Sequence, residues 1–471
     1  MYASLLSFLL CGSILLTGCQ QNNNQKSEAS DDVTGSTTSS EQPTDENQPN
    51  ASKDAAGLTY ELREYNKTCT ITGIGTYESS ELIIPSTIEG CNVIGIGKNA
   101  FKNCTQLTSV ILPEGITSIG DEAFAYCTAL TNIVLPDSLA SIGEEAFAYC
   151  AELTSIALPD SLASIGRSAF YLCYSLLQTE NNVVYVGNWA VDIEDRTATH
   201  LVLRKNTVGI IDDAFDNCHE IIEVSLPYGL TNIGNEAFLF CKKLASITLP
   251  NSVTYMGKSV FSGCESLTDI SVSTGVNYIS DSTFHGCNGL TTVVIPDHIT
   301  KIEKSAFAFC QNLTTVIIPD SVTKIGDSVF SACDNLANIS LPKHMEEIPD
   351  WFLYNSEKLI QITIPEGVTE IENFAFLDCI NLERIILPKS ISNVRAYAFD
   401  RCENLKEIYF TGTAKEWNMQ IGPSNDSFAN ATRYYYSESQ PFDAGNYWRY
   451  VDGVPQIWKP AGSGNGDIID W

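Results

Sequence analysis

Basic residues are what this chain most conspicuously lacks. Only 27 Lys and Arg stand against 57 Asp and Glu in 471 residues, a net charge of −30. A protein that grips nucleic-acid phosphates needs a basic surface, so nucleic acid is excluded as a partner. The same deficit excludes a folded part that lies on an anionic bilayer. There is no Walker or dinucleotide-binding glycine pattern, so phosphate-cradling loops are missing too. Histidine is scarce, with only His200, His219, His285, His298 and His344. Apolar residues are not scarce: they make up 44% of the chain, enough for a sizeable core. A chain of this length exceeds what one compact core supports, which leaves several domains or one elongated array.

The N-terminus has an apolar run at 5–16, rich in Leu, Phe and Ile. It is too short to span a bilayer and right for the core of a signal peptide. It ends in Leu16-Thr17-Gly18-Cys19, which resembles the bacterial lipobox. By that resemblance residues 1–18 are removed, and the Cys19 thiol carries lipid as the only attachment to the membrane. The departure is that no Lys or Arg follows Met1, which leaves an ordinary signal peptide or a misplaced start as the alternatives. Residues 19–56 then hold almost nothing apolar. Such a Ser, Thr, Asn, Gln and acid-rich stretch cannot offset its ordering entropy, and it reads as a disordered tether.

From there the chain falls into rows of 23. Phe recurs from Phe101 to Phe399 and Cys follows it three places later, from Cys104 to Cys402. Leu or Ile stands three beyond the Cys, and an apolar run such as Val110-Ile111-Leu112-Pro113 closes with Ile116-Thr117-Ser118-Ile119-Gly120. Only 351–359 departs, with Phe352 one place early and Ser356 where Cys belongs. One row has too few apolar residues to bury anything, but stacked rows turn each column into a continuous core. The alternation around Val110 predicts one short parallel strand per row, about 4.8 Å from the next, ended by the proline. Asp121 and Asp327 are expected to cap a short helical turn that carries Ala-Phe-x-x-Cys. The expected fold is therefore a leucine-rich repeat solenoid over 99–410, a curved rod on the order of 60 Å long. Residues 57–98 and 411–471 would cap its ends. The latter hold Trp417, Trp448, Trp458 and Trp471. Cys173 and Cys218 lie 45 residues apart, so 174–204 reads as an irregular insert, hairpin-like in its VVYV and WAV stretches.

The unit Ala-Phe-x-x-Cys-x-x-Leu-x-x-Ile-x-Leu-Pro-x-x-Val-x-x-Ile-Gly resembles the BspA-like, treponemal-type leucine-rich repeats of bacterial surface proteins. The resemblance covers about 81–410, and Gly445 to Pro455 looks like a closing segment common in such proteins. It implies export and adhesion to host matrix proteins, epithelial cells or other bacteria. It does not name a ligand, because a scaffold does not fix its partner.

Sixteen Cys in an exported chain would ordinarily mean disulfides. One Cys per row among apolar residues instead favours a column of buried thiols, since identical parallel side chains do not face each other. A linear column also cannot converge on zinc. Some pairing within the column stays the alternative, and Cys69 and Cys91 could join across the N-terminal cap. Acids follow the strand-ending proline at Glu114, Asp137, Asp160, Asp297, Asp320 and Glu366. Turn chemistry is favoured over a calcium ladder, whose glycine-rich loops are missing. The histidines share no repeat position, so the chain is expected to be no enzyme and to need no cofactor or metal. A hydrolase built on 174–204 or on the C-terminal region is the remote alternative.

The strand residues flanking the buried one are the better candidates, because a solenoid presents its sheet as one extended surface. The candidate binding face is Ile111, Val134, Val294, Thr315, Ile317, Gln361, Arg384, Ile386 and Tyr409. Exposed Ile and Val would mark a gripping surface. Equally, β-branched residues simply favour strands. The function expected is non-catalytic binding of a host-matrix or bacterial-surface protein or glycan at the cell surface. An envelope spacer without a ligand is the alternative.

Overall fold

The computed structural model describes residues 50–53, 57–269, 272–441 and 445–458. The leader, Cys19, most of the tether and Trp471 lie outside them. The chain divides into two compact units, Met1–Leu162 with Ser168–Leu176, and Ala163–Arg167 with Leu177–Trp471. Each is a parallel β-solenoid.

A single row shows how the sequence makes the fold. Strand Ser109–Ile111 buries Val110 and turns Ile111 outward. Pro113 ends it, and a turn through Gly115 leads to the two-residue strand Ser118–Ile119, which buries Ile119. The chain then passes Phe124 and Cys127 in linked turns, not in the expected helical turn. Glu122 and Tyr126 have left-handed φ of 53° and 62°, incompatible with a helix. The cause is in the amides. Those of Glu122, Phe124 and Tyr126 donate to Glu144, Ala146 and Ala148 of the next row, at 2.7–2.8 Å. Every second amide thus serves the neighbouring row, and no helical i→i−4 ladder can form. Asp121 and Asp327 accordingly have no helix to cap. Asp121 Oδ1 instead accepts the Glu144 amide of the next row, at 3.2 Å. Rows approach so closely there that a Cβ on Gly120 would lie 2.6 Å from the Lys98 amide nitrogen.

In the first unit the three-residue strands Glu81–Ile83, Ser109–Ile111 and Asn132–Val134 run parallel in register, followed by Ser155–Ile156. Cys91–Ile96, Ser118–Ile119 and Ser141–Ile142 form the second sheet. Its cap is Asn50–Lys53, Thr59–Arg63 and Thr68–Gly73, of which the last pairs in parallel with Cys91–Ile96. The end of the expected tether is thereby corrected: 50–53 is a strand, with its backbone paired antiparallel to Thr59–Arg63. Phe101, Phe124, Phe147 and Phe170 are buried and stack at 5.1, 5.3 and 5.7 Å. Each buried ring stabilises by roughly 1.5–3 kcal/mol, and each stacked pair adds about 0.5–1.5 kcal/mol.

The second unit repeats this plan. Its three-residue strands include His200–Val202, Glu223–Ser225, Thr292–Val294, Thr315–Ile317, Asn338–Ser340 and Gln361–Thr363. Phe215 to Phe330 stack at 5.3–5.8 Å. At the irregular row the 23-residue spacing holds, with Leu353 in the Phe column and Phe352 beside it, edge-on to Phe330. The insert is a three-stranded antiparallel meander, Gln178–Glu180, Val183–Val186 and Trp189–Ile193, and the last strand joins the solenoid through Gly209–Ile210. Only glycine fits at 209, because a Cβ there would lie 2.3 Å from the Trp189 ring. At the C-terminal end helix Asp426–Asn430 sets Phe428 on Phe399 at 4.7 Å. Trp448 is buried and donates Nε1–H to the Phe410 carbonyl at 2.9 Å. The aromatic residues of 411–458 thus cover the last row.

Candidate functional site

The cysteine column is a hydrogen-bonding device as well as a packing one. The described cysteines are buried thiols, Cys69 and Cys91 included. The Cys127 thiol donates to the Phe101 carbonyl one row back, at 3.1 Å. Cys150, Cys173, Cys241, Cys264, Cys287, Cys310 and Cys333 repeat this contact, each on the phenylalanine carbonyl of the row before it, at 3.0–3.3 Å. That carbonyl also accepts the amide of its own row's cysteine, so both lone pairs are used. Burial pushes Cys150, Cys173, Cys264 and Cys310 up to about 12, which removes the thiolate needed for nucleophilic or metal chemistry. Ser356 shows the cost of departing from the column. Its Oγ is buried with no hydrogen-bond partner among the described residues. At the start of the second unit's column no phenylalanine stands one row back from Phe215 to take the Cys218 thiol, and Arg196 Nη1 lies 3.7 Å from that Sγ. That guanidinium also bonds Asp192 and Asp216, both at 2.9 Å. Arg196 and Asp192 of the insert are therefore engaged in closing the end of a column.

The acids after the prolines act on their turns. Glu114 Oε1 accepts the Asp137 amide at 3.3 Å, and Asp320 Oδ1 accepts that of Lys343 at 2.9 Å. Glu366 Oε1 accepts the Thr411 hydroxyl at 2.7 Å. Among the described residues no group of three or more His, Cys, Asp or Glu is arranged to hold a metal ion. Two carboxyl groups of the second unit are strongly perturbed. Burial and the adjacent Glu236 push Asp213 up to about 7, against the pull of Arg167. Burial and a hydrogen bond with Glu370 do the same to Glu372, against the pull of Arg395. Both are paired carboxyls along a turn edge.

The outer face of the three-residue strands holds the candidate residues. In the first unit Ile111 and Val134 are register neighbours, 41% and 47% exposed. Ile83 extends that column and is 67% exposed. In the second unit Val294 (55%) adjoins Ile317 (45%), with Thr315 half-buried at the head of the same strand. Gln361 is exposed beside half-buried Arg384, whose Nε lies 3.5 Å from Glu407 Oε2. Ile386 is half-buried. Tyr409 must be struck from the face: it is fully buried, stacked on Tyr434 at 5.1 Å and edge-on to Trp448 at 5.5 Å. The C-terminal cap covers that row, so the periodic rule that turns the third strand position outward fails there.

Two features escaped the sequence reading. Ile83 in the first unit and Val202 in the second occupy the same outward strand position, but their rows lack the Phe-x-x-Cys marker used for alignment. The signal was there, since Leu82-Ile83-Ile84-Pro85 repeats Val110-Ile111-Leu112-Pro113. The second is a ring stack on the turn edge. Trp351, Phe374 and Tyr397 lie 23 residues apart and stack at 4.3 and 5.2 Å, all at left-handed φ of 57–59°.

Fold and face together define a leucine-rich repeat solenoid of the binding type, with exposed aliphatic residues on its strands. The family model for the BspA type leucine-rich repeat region matches residues 76–191, 194–314 and 300–430, and the chain belongs to that family. Among solved structures it is similar to a leucine-rich cell surface protein of Faecalibacterium prausnitzii, at 29% identity over 79% of this chain and 97% of that one (TM-score 0.37). It is also similar to a leucine-rich repeat protein of Bacteroides ovatus, at 25% identity over 80% and 98% (TM-score 0.43). No curated protein matches the chain.

Proposed function

We propose that this protein is exported, held at the cell surface by lipid on Cys19, and binds a protein or glycan through its strand face without catalysis. The observation that carries the reading is the outward aliphatic column Ile83–Ile111–Val134, in register and unneeded for the core. Water-exposed aliphatic groups that recur along one surface are recovered as binding energy when a partner covers them. The membership of the BspA-type family and the likeness to a protein described as cell-surface support export. The lipobox at 16–19 and the polar stretch after it support a tethered anchor.

The test is a pull-down of the chain against host-matrix and bacterial-surface panels, protein and glycan. Saturable binding that weakens in Ile111→Asp with Val134→Asp is the expected result. A panel with no saturable partner would leave an envelope spacer. Protease applied to whole cells should release the solenoid, and cells that keep it intact would contradict surface display. Cys19→Ser should abolish the lipid adduct in the mature protein's mass.

A further inference from the structure

The first unit's strand face carries charge of one sign. Its four row segments, 80–86, 108–115, 131–138 and 154–161, contain Glu81, Glu114, Asp137 and Asp160 and no Lys or Arg. Glu114, Asp137 and Asp160 are exposed and follow the strands by three or four residues, one per row. Among the described residues no basic group stands within ion-pairing distance of these three. Extended chain advances about 3.3 Å per residue, so the acid column runs within about 10 Å of the column Ile83–Ile111–Val134. That is about one Debye length at physiological salt, close enough to act on whatever covers the aliphatic groups. Two of the unit's lysines are engaged with other acids: Lys98 with Asp121 at 3.4 Å, and Lys102 with Glu122.

We infer that this face takes a basic protein segment in extended form, its aliphatic side chains against Ile83, Ile111 and Val134 and its Lys or Arg over Glu114, Asp137 and Asp160. The inference rests on the binding reading above and adds the partner's chemistry. Charge complementarity selects the occupant. A second copy of this chain, at −30, is repelled. A neutral glycan would leave three carboxylates without counter-charge beside a desolvated apolar strip. A basic peptide with aliphatic side chains satisfies both columns, its apolar groups covering the one and its cations meeting the other.

The full mature chain is titrated by fluorescence anisotropy with a labelled 12-residue peptide of alternating Val and Lys. A Val/Glu peptide, a Ser/Lys peptide and a neutral oligosaccharide are the comparisons. The expected result is saturable binding of the Val/Lys peptide alone. It should weaken about tenfold in Glu114→Gln, Asp137→Asn, Asp160→Asn, and again on raising salt from about 50 to about 300 mM. Ile111→Ser with Val134→Ser should weaken it by a similar factor, while Val294→Ser with Ile317→Ser should not. All these positions are exposed, and circular dichroism checks that each variant folds. Equal binding of the Ser/Lys peptide, or the neutralised variant binding as the parent does, would overturn the inference. Preferential binding of the oligosaccharide would overturn it too, and would leave the broader binding reading standing. If neither peptide nor panel partner binds, both fall.

Discussion

The strand faces of the two units are built on the same 23-residue rule and present different surfaces. In the first, aliphatic side chains lie in register beside acids alone. In the second, Val294 and Ile317 stand beside Asp320, whose Oδ2 lies 2.7 Å from Lys343 Nζ, and Arg384 lies between Glu383 and Glu407. Lys343 also holds the Asp320 carboxyl below the usual carboxylate range. Charge is thus partly neutralised within the second face, at Asp320 and around Arg384, and left open on the first. The buried columns, by contrast, recur in both units with one departing row, at Leu353 and Ser356, because rows must reproduce them for their neighbours to stack. Selection on the fold fixes the inward positions, and the outward ones remain available for recognition.

The largest effects should follow from breaking a buried column. Phe124→Ala in the first unit and Phe307→Ala in the second should each cost about 3–5 kcal/mol. Amide hydrogen exchange is expected to show the loss concentrated in the rows around the mutated ring, and loss confined to distant rows would contradict the packing role. Next comes the one imperfect rung. Ser356→Cys restores a donor that reaches back to the preceding row and removes a buried hydroxyl without a partner. It should stabilise the second unit by about 1–2 kcal/mol in denaturant unfolding, whereas Cys310→Ser should cost a similar amount.

Acidity should separate the units as well. Asp213 near 7 in the fold compares with about 3.9 unfolded, so the folded second unit holds more protons between those values. Its stability from that group is present at pH 4 and is lost as pH rises towards 7. Glu372 acts in the same direction. Asp213→Asn should flatten the pH dependence of hydrogen exchange in the second unit and leave the first unit's unchanged. A smaller effect is expected of the thiols. With Cys150 and Cys310 near 12, about one part in 10⁴ is thiolate at pH 8, so iodoacetamide should label either unit only after denaturation. Labelling of the folded first unit alone would mean its column opens locally.

The repeat, its strands and its buried Phe, Leu and Cys were legible because a 23-residue period repeats its errors and its rules alike. What was not legible followed from bonds between rows. The turn carrying Phe124 reads as helical from its residues, yet its amides are claimed by the next row, which no single row reveals. The donor role of Cys127 escaped for the same reason, since its acceptor, Phe101, lies 26 residues back. On the candidate face Ile111, Val134, Val294 and Ile317 were legible from alternation alone. Tyr409 failed because its exposure is decided by Trp448, 39 residues later and outside the repeat.

The central claim is that the strand face, and not the turn edge or the two-residue strands, is the binding surface. The most direct measurement is the affinity of a captured partner for three full-length proteins compared with the parent: Ile111→Asp with Val134→Asp, Tyr397→Ser on the turn edge, and Lys324→Asp on a two-residue strand. Loss of at least about tenfold in the first alone is predicted. Undiminished affinity in the first, with loss in either of the others, would contradict it.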